Sequence, residues 1–383
     1  MVPFDFQPQT RIVFGAGKVD QLGDLAAELG ARRALLVSDP GIIAAGHAEC
    51  GLQSLRNAGL AAHLFEGVHQ NPTTKDVETG LVFAQTIDPD VIIGLGGGSS
   101  MDCAKGINFL LTNGGRMQDY WGVGKATKPM LPMIAVPTTA GTGSETQSFA
   151  LISDANTKVK MACGDKKAAF RIALLDPQLT LTQPPQITAL TGIDAIAHAL
   201  ETYVTTRRNP ASLAFSLEAW RLLSHNFGRV LADPENLHAR SGMQLGACFA
   251  GLAIENSMLG AAHALANPLT ANHGVAHGQA VALMLPHVVR FNGEEFGKWY
   301  EDLLEVHGAM NGRPDPEAGP FGLADFVTQL VERAGLALRL RDVGIDRDRL
   351  PALAEQAAEQ WTGNFNPRKV DEERLLRLYE AAF

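Results

Sequence analysis

Short apolar runs alternate with amphipathic helical stretches about every 30 residues through the first half of the chain, and this rhythm restricts the fold more than any other feature. The runs are ALLVSD (34–39), HLFEGV (63–68), DVIIGLGGG (90–98) and PMIAVPTT (132–139), each read as a strand. Between them, GKVDQLGDLAAELG, ECGLQSLRNAGL and VETGLVFAQTI carry apolar residues at helical spacing. Strand and helix in alternation imply βαβ units, a parallel sheet and helices on both of its faces.

A last strand-like run, RIALLDP, ends at Pro177, and Pro184 and Pro185 then interrupt any continuing element. The expected boundary lies there, dividing an α/β domain of residues 1–183 from a domain of residues 184–383. Beyond it the strand signal fades and long Ala/Leu-rich amphipathic segments follow, among them ITALTGIDAIAHALETYV and LHARSGMQLGACFAGLAIENS. The second domain is expected to be all-helical.

Composition narrows the class of partner. The chain of 383 residues has a net charge of -9 and no basic run, which disfavours nucleic acid and anionic membrane surfaces. No apolar stretch approaches the length of roughly 18 residues that a membrane helix needs. Four cysteines, Cys50, Cys103, Cys163 and Cys248, lie far apart without a CxxC pair, which argues against a disulfide framework or a thiolate metal site and for buried structural thiols. The opening MVPFDFQPQTRIVFG has no basic start followed by an apolar run, so the expectation is a cytoplasmic protein with a small-molecule ligand.

Two loops carry the signature of a phosphate site. The run DVIIGL leads into Gly96, Gly97, Gly98 and Ser99 and then a helical stretch. Glycines let the backbone approach a pyrophosphate, and the free N–H groups and positive dipole end of the following helix favour its charge. A second turn, PTTAGTGSE (137–145), offers Thr138, Thr139 and Thr142 after another strand. In an open α/β sheet both loops face the same edge, where ligands bind. Asp39 ends an earlier strand, where a carboxylate accepts from a ribose diol and repels a 2'-phosphate, which favours NAD; opening a turn before Pro40 and Gly41 is the competing role.

Asp194 and His198 are four apart in a proline-free helical segment, so both project from one face. His263 and His277 add two imidazoles from the helical half, set among small or apolar residues where an unpaired ring is costly. One carboxylate and three imidazoles suit a divalent transition metal such as Fe2+ or Zn2+ and leave room for a substrate oxygen. His273 lies close in sequence to His277; a proton-transfer role competes with a plain loop position.

Taken together, GGGSSMDCAKG (96–106), PTTAGTGSE (137–145), TGIDAIAHALETY (191–203) and HGQAVALMLPHVVRFN (277–292) closely resemble the iron-containing (group III) alcohol dehydrogenases. The resemblance implies a Rossmann-like NAD-binding domain followed by a helical metal-binding domain, a dehydroquinate synthase-like fold, and a homodimer or larger homo-oligomer. It places metal ligands on Asp194, His198, His263 and His277, with Fe2+ as the metal and Zn2+ or Mn2+ as alternatives. Nucleotide contacts fall on Asp39, Asn71, Gly97, Gly98, Ser99, Thr138, Thr142 and Lys160, and pocket positions on Phe149 and Ile254. The implied reaction interconverts a small primary alcohol or diol and its aldehyde, the metal acting as a Lewis acid and NAD carrying the hydride. Same-fold relatives with other chemistry, a zinc glycerol dehydrogenase or a maleylacetate reductase, and a non-catalytic NAD- or metal-binding protein are the alternatives. One departure stands out: many members carry a further histidine one turn after the third ligand, where this chain has Asn267, and an amide cannot relay a proton as imidazole does.

Overall fold

The structure, a computed structural model, describes residues 3–311 and 321–383. The chain separates into two compact units, one of Gln7–Gln183 and one of Pro184–Phe383 joined by the N-terminal segment that ends at Phe6. That segment belongs with the helices because the Phe6 ring packs 5.8 Å from Phe215, where the sequence alone suggested that the first unit begins at the N-terminus.

The first unit is built on a six-stranded sheet. Its strands are β1 (Arg11–Phe14), β2 (Arg33–Val37), β3 (Ala61–Phe65), β4 (Val91–Gly96), β6 (Met133–Pro137) and β9 (Ile172–Leu175), in the spatial order β1-β9-β6-β4-β2-β3. Every pairing in it is parallel. Helices α1 (Leu22–Glu28), α2 (Pro40–Ala44), α3 (His47–Asn57), α4 (Thr74–Ile87) and α5 (Gly98–Asn113) connect the strands. The central strands are buried on both faces, which is why they read as unbroken apolar runs. Along β2, Leu35 and Val37 join a core with Val77 of α4 and Met101 and Ile107 of α5. Ala34 and Leu36 face the opposite core with Leu25 of α1 and Leu52 and Leu55 of α3. Each fully buried leucine contributes about 1.5–3 kcal/mol.

Several element ends differ from the sequence reading. The third strand is Ala61–Phe65, two residues earlier than HLFEGV suggested, because its residues pair one to one with Arg33–Val37. A three-stranded sheet escaped the sequence reading entirely: β5 (Gly122–Val123) pairs parallel with β8 (Lys160–Gly164), which pairs antiparallel with β7 (Phe149–Ser153). Three of the four cysteines are buried, and Cys50 is exposed, contrary to the expectation of four buried thiols.

Strand order positions the loops. From β2 the chain moves outward to β3, then returns to form β4 on the other flank of β2. The connections from β2 and β4 therefore depart in opposite directions, opening a crevice at the strands' C-terminal ends. Asp39 follows β2 there, and the glycine run follows β4.

The second unit consists of helices α6 (Pro185–Val204), α7 (Pro210–Ala232), α8 (Leu237–Glu255), α9 (Ala261–His273), α10 (His277–Asn311, kinked at Phe296), α11 (Gly322–Arg333), α12 (Leu350–Ala358) and α13 (Glu372–Ala381). Pro185 occupies the first position of α6, where its missing N–H costs no hydrogen bond. Two large buried side chains place their polar ends on backbone: the Trp220 indole donates to the Leu303 carbonyl at 2.7 Å and the Tyr379 hydroxyl to the Leu265 carbonyl at 2.6 Å. Among the described residues no helix is long and apolar enough to cross a membrane.

Candidate metal centre and nucleotide loops

In α6, Asp194, His198 and Glu201 stand at i, i+4 and i+7, on one face of an alanine-rich helix. His263 lies in the first turn of α9, and His277 opens α10. Gly274, in the left-handed region at φ 67°, ends α9 and lets the chain turn back within three residues. Gly278 then allows α10 to lie against α6, since a β-carbon there would meet the Leu190 carbonyl oxygen at 2.2 Å.

The result is a convergence of donors. The Nε2 atoms of His198, His263 and His277 lie 3.5, 3.4 and 3.6 Å from Asp194 Oδ1. The donor atoms of Asp194, His263 and His277 all fall within 4.8 Å of one another, with His198 joining through Asp194. Metal bonds of about 2.0–2.2 Å at tetrahedral angles separate two donors by about 3.3–3.6 Å, so these spacings fit a shared cation. Asp194 Oδ1 and His263 Nε2 are buried and without hydrogen-bond partners. Two such atoms pointing at one place are costly unless something else satisfies them, and a divalent ion does so. His277 keeps 28% of its side chain exposed against 5–8% for Asp194, His198 and His263, which leaves one side accessible to a further ligand.

Electrostatics agree with the geometry. Burial alone would raise the Asp194 carboxyl, but His198, His277 and His263 outweigh it and hold it well below the ordinary carboxylate range. Burial pulls His263 down, while Glu201 and Asp194 overcome that pull and raise it to about 9. Glu201 itself was missed in the sequence. Its Oε2 lies 2.5 Å from His263 Nδ1, and its Oε1 accepts from the Ala262 N–H at 2.7 Å. The signal was present: a carboxylate three residues after His198, on the same helical face and in an apolar stretch.

The glycine loops form a second constellation. Gly96 adopts φ 149°, and a β-carbon there would stand 2.4 Å from Ser100 Oγ, so only glycine turns β4 into α5. Gly97 precedes the first turn of α5, and Thr139 packs against it. Thr142 leans on Gly98. The Thr138 N–H donates to the Gly96 carbonyl at 3.0 Å, while its buried Oγ1 has no partner. The Asn71 N–H, from a residue at φ 54°, donates to Ser99 Oγ at 3.2 Å. Asp39 caps α2: its Oδ1 accepts from the Gly41 and Ile42 N–H groups at 3.0 and 3.2 Å, and its Oδ2 accepts from the Ser100 hydroxyl at 3.0 Å. The turn role weighed for it is thus real, and it also fixes the carboxylate beside the glycine loop. Lys160 begins β8, on the small sheet.

The family model described as iron-containing alcohol dehydrogenase matches residues 8–177, and that of the Fe-containing alcohol dehydrogenase family, C-terminal, matches residues 188–383. The chain belongs to the iron-containing alcohol dehydrogenase family. It is therefore an oxidoreductase of the alcohol dehydrogenase type, as the motifs implied. It is similar to the 1,3-propanediol dehydrogenase of Klebsiella pneumoniae, 34% identical over 383 residues, 99% of this chain and 99% of the relative. It is similar to the lactaldehyde reductase of Escherichia coli K12, 32% identical over 373 residues, 97% of each chain. Among solved structures, a 1,3-propanediol oxidoreductase shares 33% identity with a TM-score of 0.95 and full coverage of both chains. The sulfoacetaldehyde reductase of Bifidobacterium kashiwanohense, solved in complex with NAD+, shares 25% identity with a TM-score of 0.90, covering 100% of this chain and 99% of that one.

The other residues singled out in the sequence are less gathered. Asn267 lies half-buried one turn after His263, and its Nδ2 donates to Gln360 Oε1 at 3.0 Å. His273 is exposed at the C-terminal end of α9, roughly 15 Å along the helix from His263 at 1.5 Å per residue, so the structure does not bring it to the donors. Its closeness to His277 in sequence misled because α9 ends between them. Phe149 begins β7, its ring covering Gly164, and Ile254 is buried near the end of α8.

Proposed function

We propose that this alcohol dehydrogenase uses NAD and a divalent metal, Fe2+ in the first instance with Zn2+ or Mn2+ as substitutes, and that its substrate is a small primary alcohol or diol and the matching aldehyde. The observation that carries the reading is the meeting of three imidazole Nε2 atoms around Asp194 Oδ1, two of the four atoms buried without partners. Asp194, His198, His263 and His277 would hold the metal. When bound, that ion supplies Lewis acidity toward an alcohol or aldehyde oxygen, and NAD supplies the hydride acceptor or donor.

The chain's own residues do the positioning. Asp194 brings the one negative charge of the donor set, and the imidazoles leave the remaining charge of a divalent ion to polarise substrate. The N-terminus of α5, which the N-cap residue Gly97 does not cap with a side chain, turns its first N–H groups and dipole toward a pyrophosphate, beside the unpartnered Thr138 hydroxyl. Asp39, fixed by three hydrogen bonds, sets a negative charge where a 2'-phosphate would be repelled, which favours NAD over NADP. The named activities of the relatives, on 1,3-propanediol and lactaldehyde, support a short polar substrate.

The test is a metal-stripped preparation reloaded anaerobically with Fe2+, Zn2+ or Mn2+ and assayed on short alcohols and diols, including 1,3-propanediol, with NAD+ and NADP+. Activity that appears only with a restored divalent ion and prefers NAD+ is the expected result. Full turnover after stripping, or a requirement for NADP+, contradicts the reading.

A further inference from the structure

We propose that Glu201 is a positioning residue that fixes the tautomer of His263, holding its proton on Nδ1 so that Nε2 is free to bind metal. The proposal rests on the assignment of Asp194, His198, His263 and His277 as donors. A histidine binds metal through one nitrogen only if that nitrogen carries no proton, and what the other nitrogen faces decides where the proton sits. His263 Nδ1 faces a carboxylate oxygen at 2.5 Å, an atom that accepts and cannot donate. In the neutral ring that metal binding requires, the proton therefore belongs on Nδ1, which leaves Nε2, buried and without a hydrogen-bond partner, as the donor atom beside Asp194.

Glu201 is itself held in place. It is 4% exposed, and its second oxygen accepts from the Ala262 N–H in the first turn of α9. Gly260, the residue before that helix, provides no side-chain cap, and a β-carbon on it would stand 3.1 Å from Glu201 Oε1. One carboxylate thus caps α9 from a neighbouring helix and orients the imidazole that α9 carries. His198 and His263 stack with ring centroids 4.8 Å apart, so an imidazole turned out of line would also disturb its neighbour.

A cap and a tautomer lock respond differently to glutamine. Glu201→Gln keeps an oxygen for the Ala262 N–H but turns an NH2 group toward Nδ1, which must then accept. The imidazole proton moves to Nε2, where it points at Asp194 and blocks metal. A purely structural role is rescued by glutamine; the tautomer lock is not.

The experiment uses the metal-stripped full chain titrated with Co2+, reading affinity by chelator competition and geometry by the visible absorption of the bound ion. Glu201→Gln is expected to keep the thermal midpoint of the metal-free protein while losing about 10- to 100-fold in Co2+ affinity, as loss of such partners does. Native-like affinity and spectrum in that variant overturn the proposal. A measurement on the native protein does not depend on whether the variant folds: zinc-loaded protein should show a slowly exchanging imidazole Nδ1–H resonance that disappears in His263→Gln, and its absence overturns the proposal. If His263→Gln still binds Co2+ as tightly as the native chain, the donor assignment fails, and the Glu201 proposal with it. If His263→Gln loses Co2+ and Glu201→Gln does not, the assignment stands and only the role of Glu201 falls.

Discussion

Gly98 and Thr142 meet so closely that a β-carbon on residue 98 would stand 2.8 Å from Thr142 Cγ2. The first turn of α5 and the threonine loop after β6 are therefore one surface, and a methyl group between them must push one away. Gly98→Ala is expected to raise the KM for NAD about tenfold, from an overpacking cost of about 1–3 kcal/mol, while bound metal stays unchanged. Unaltered NAD kinetics in that variant would detach these loops from nucleotide binding.

Metal removal should be felt in stability as well as turnover. Asp194 Oδ1 and His263 Nε2 are buried without hydrogen-bond partners, and stripping the ion withdraws the charge that would satisfy both. An ion at a hundred times its dissociation constant stabilises the fold by about 2.7 kcal/mol. The thermal midpoint of stripped protein should climb by several degrees on adding Fe2+ or Zn2+, and the Asp194→Ala variant should show no such rise. A rise of equal size in that variant would place the ion elsewhere.

Gly278 lets α10 pack on the backbone of α6, with a would-be β-carbon 2.2 Å from the Leu190 carbonyl oxygen. Backbone cannot yield as a side chain can, so Gly278→Ala should displace His277, the neighbouring residue. Loss of bound metal by tenfold or more, with a destabilisation of about 1–3 kcal/mol, is expected from metal analysis and denaturant unfolding. Retention of full metal content would show that α10 tolerates the shift.

Glu145 gives a pH signature to the first unit. Burial raises its carboxyl from 4.5 to about 7, partly offset by its backbone N–H and by Lys105. Between those values the folded chain holds a proton that the unfolded chain has released. Stability contributed by this group is thus present below pH 4.5, falls by up to about 1.4 kcal/mol per pH unit as pH rises, and is gone above pH 7. Glu145→Gln removes that slope, so in urea unfolding the variant should gain on the native chain from pH 5 to about pH 7 and hold a constant difference above it. Parallel curves would show that Glu145 does not titrate in this window.

Asn267 has no titrating group to offer one turn from His263, and it is tied to Gln360. Asn267→His introduces an imidazole with an ordinary value of about 6.5. The pH–rate profile should gain a limb near that pH that the native enzyme lacks. Superimposable profiles would mean that this position lies off the proton path.

The parts legible in the sequence were those whose periodicity reports burial directly. The runs of β2, β4 and β6 are apolar on both faces, and Asp194 and His198 share a helix face by spacing alone. The small sheet was not legible: β5 has two residues, and Leu151 and Val159 are exposed near a polar turn, so no alternation stands out. Strand β1 is a four-residue edge with exposed ends, for the same reason. Glu201 escaped notice because its partner, His263, lies 62 residues away and only the packing of α9 on α6 joins them. His273 failed in the opposite direction, near in sequence and carried off by the end of a helix.

All the proposed metal donors, and the carboxylate behind them, come from the stretch between Asp194 and His277 in the helical unit, while both glycine loops and Asp39 belong to the other unit. Inheritance can then act on the two halves of the reaction separately. On the roles proposed above, exchanging residue 39 alters the nucleotide and altering the imidazole set alters the ion, and neither change rewrites the sequence that encodes the other.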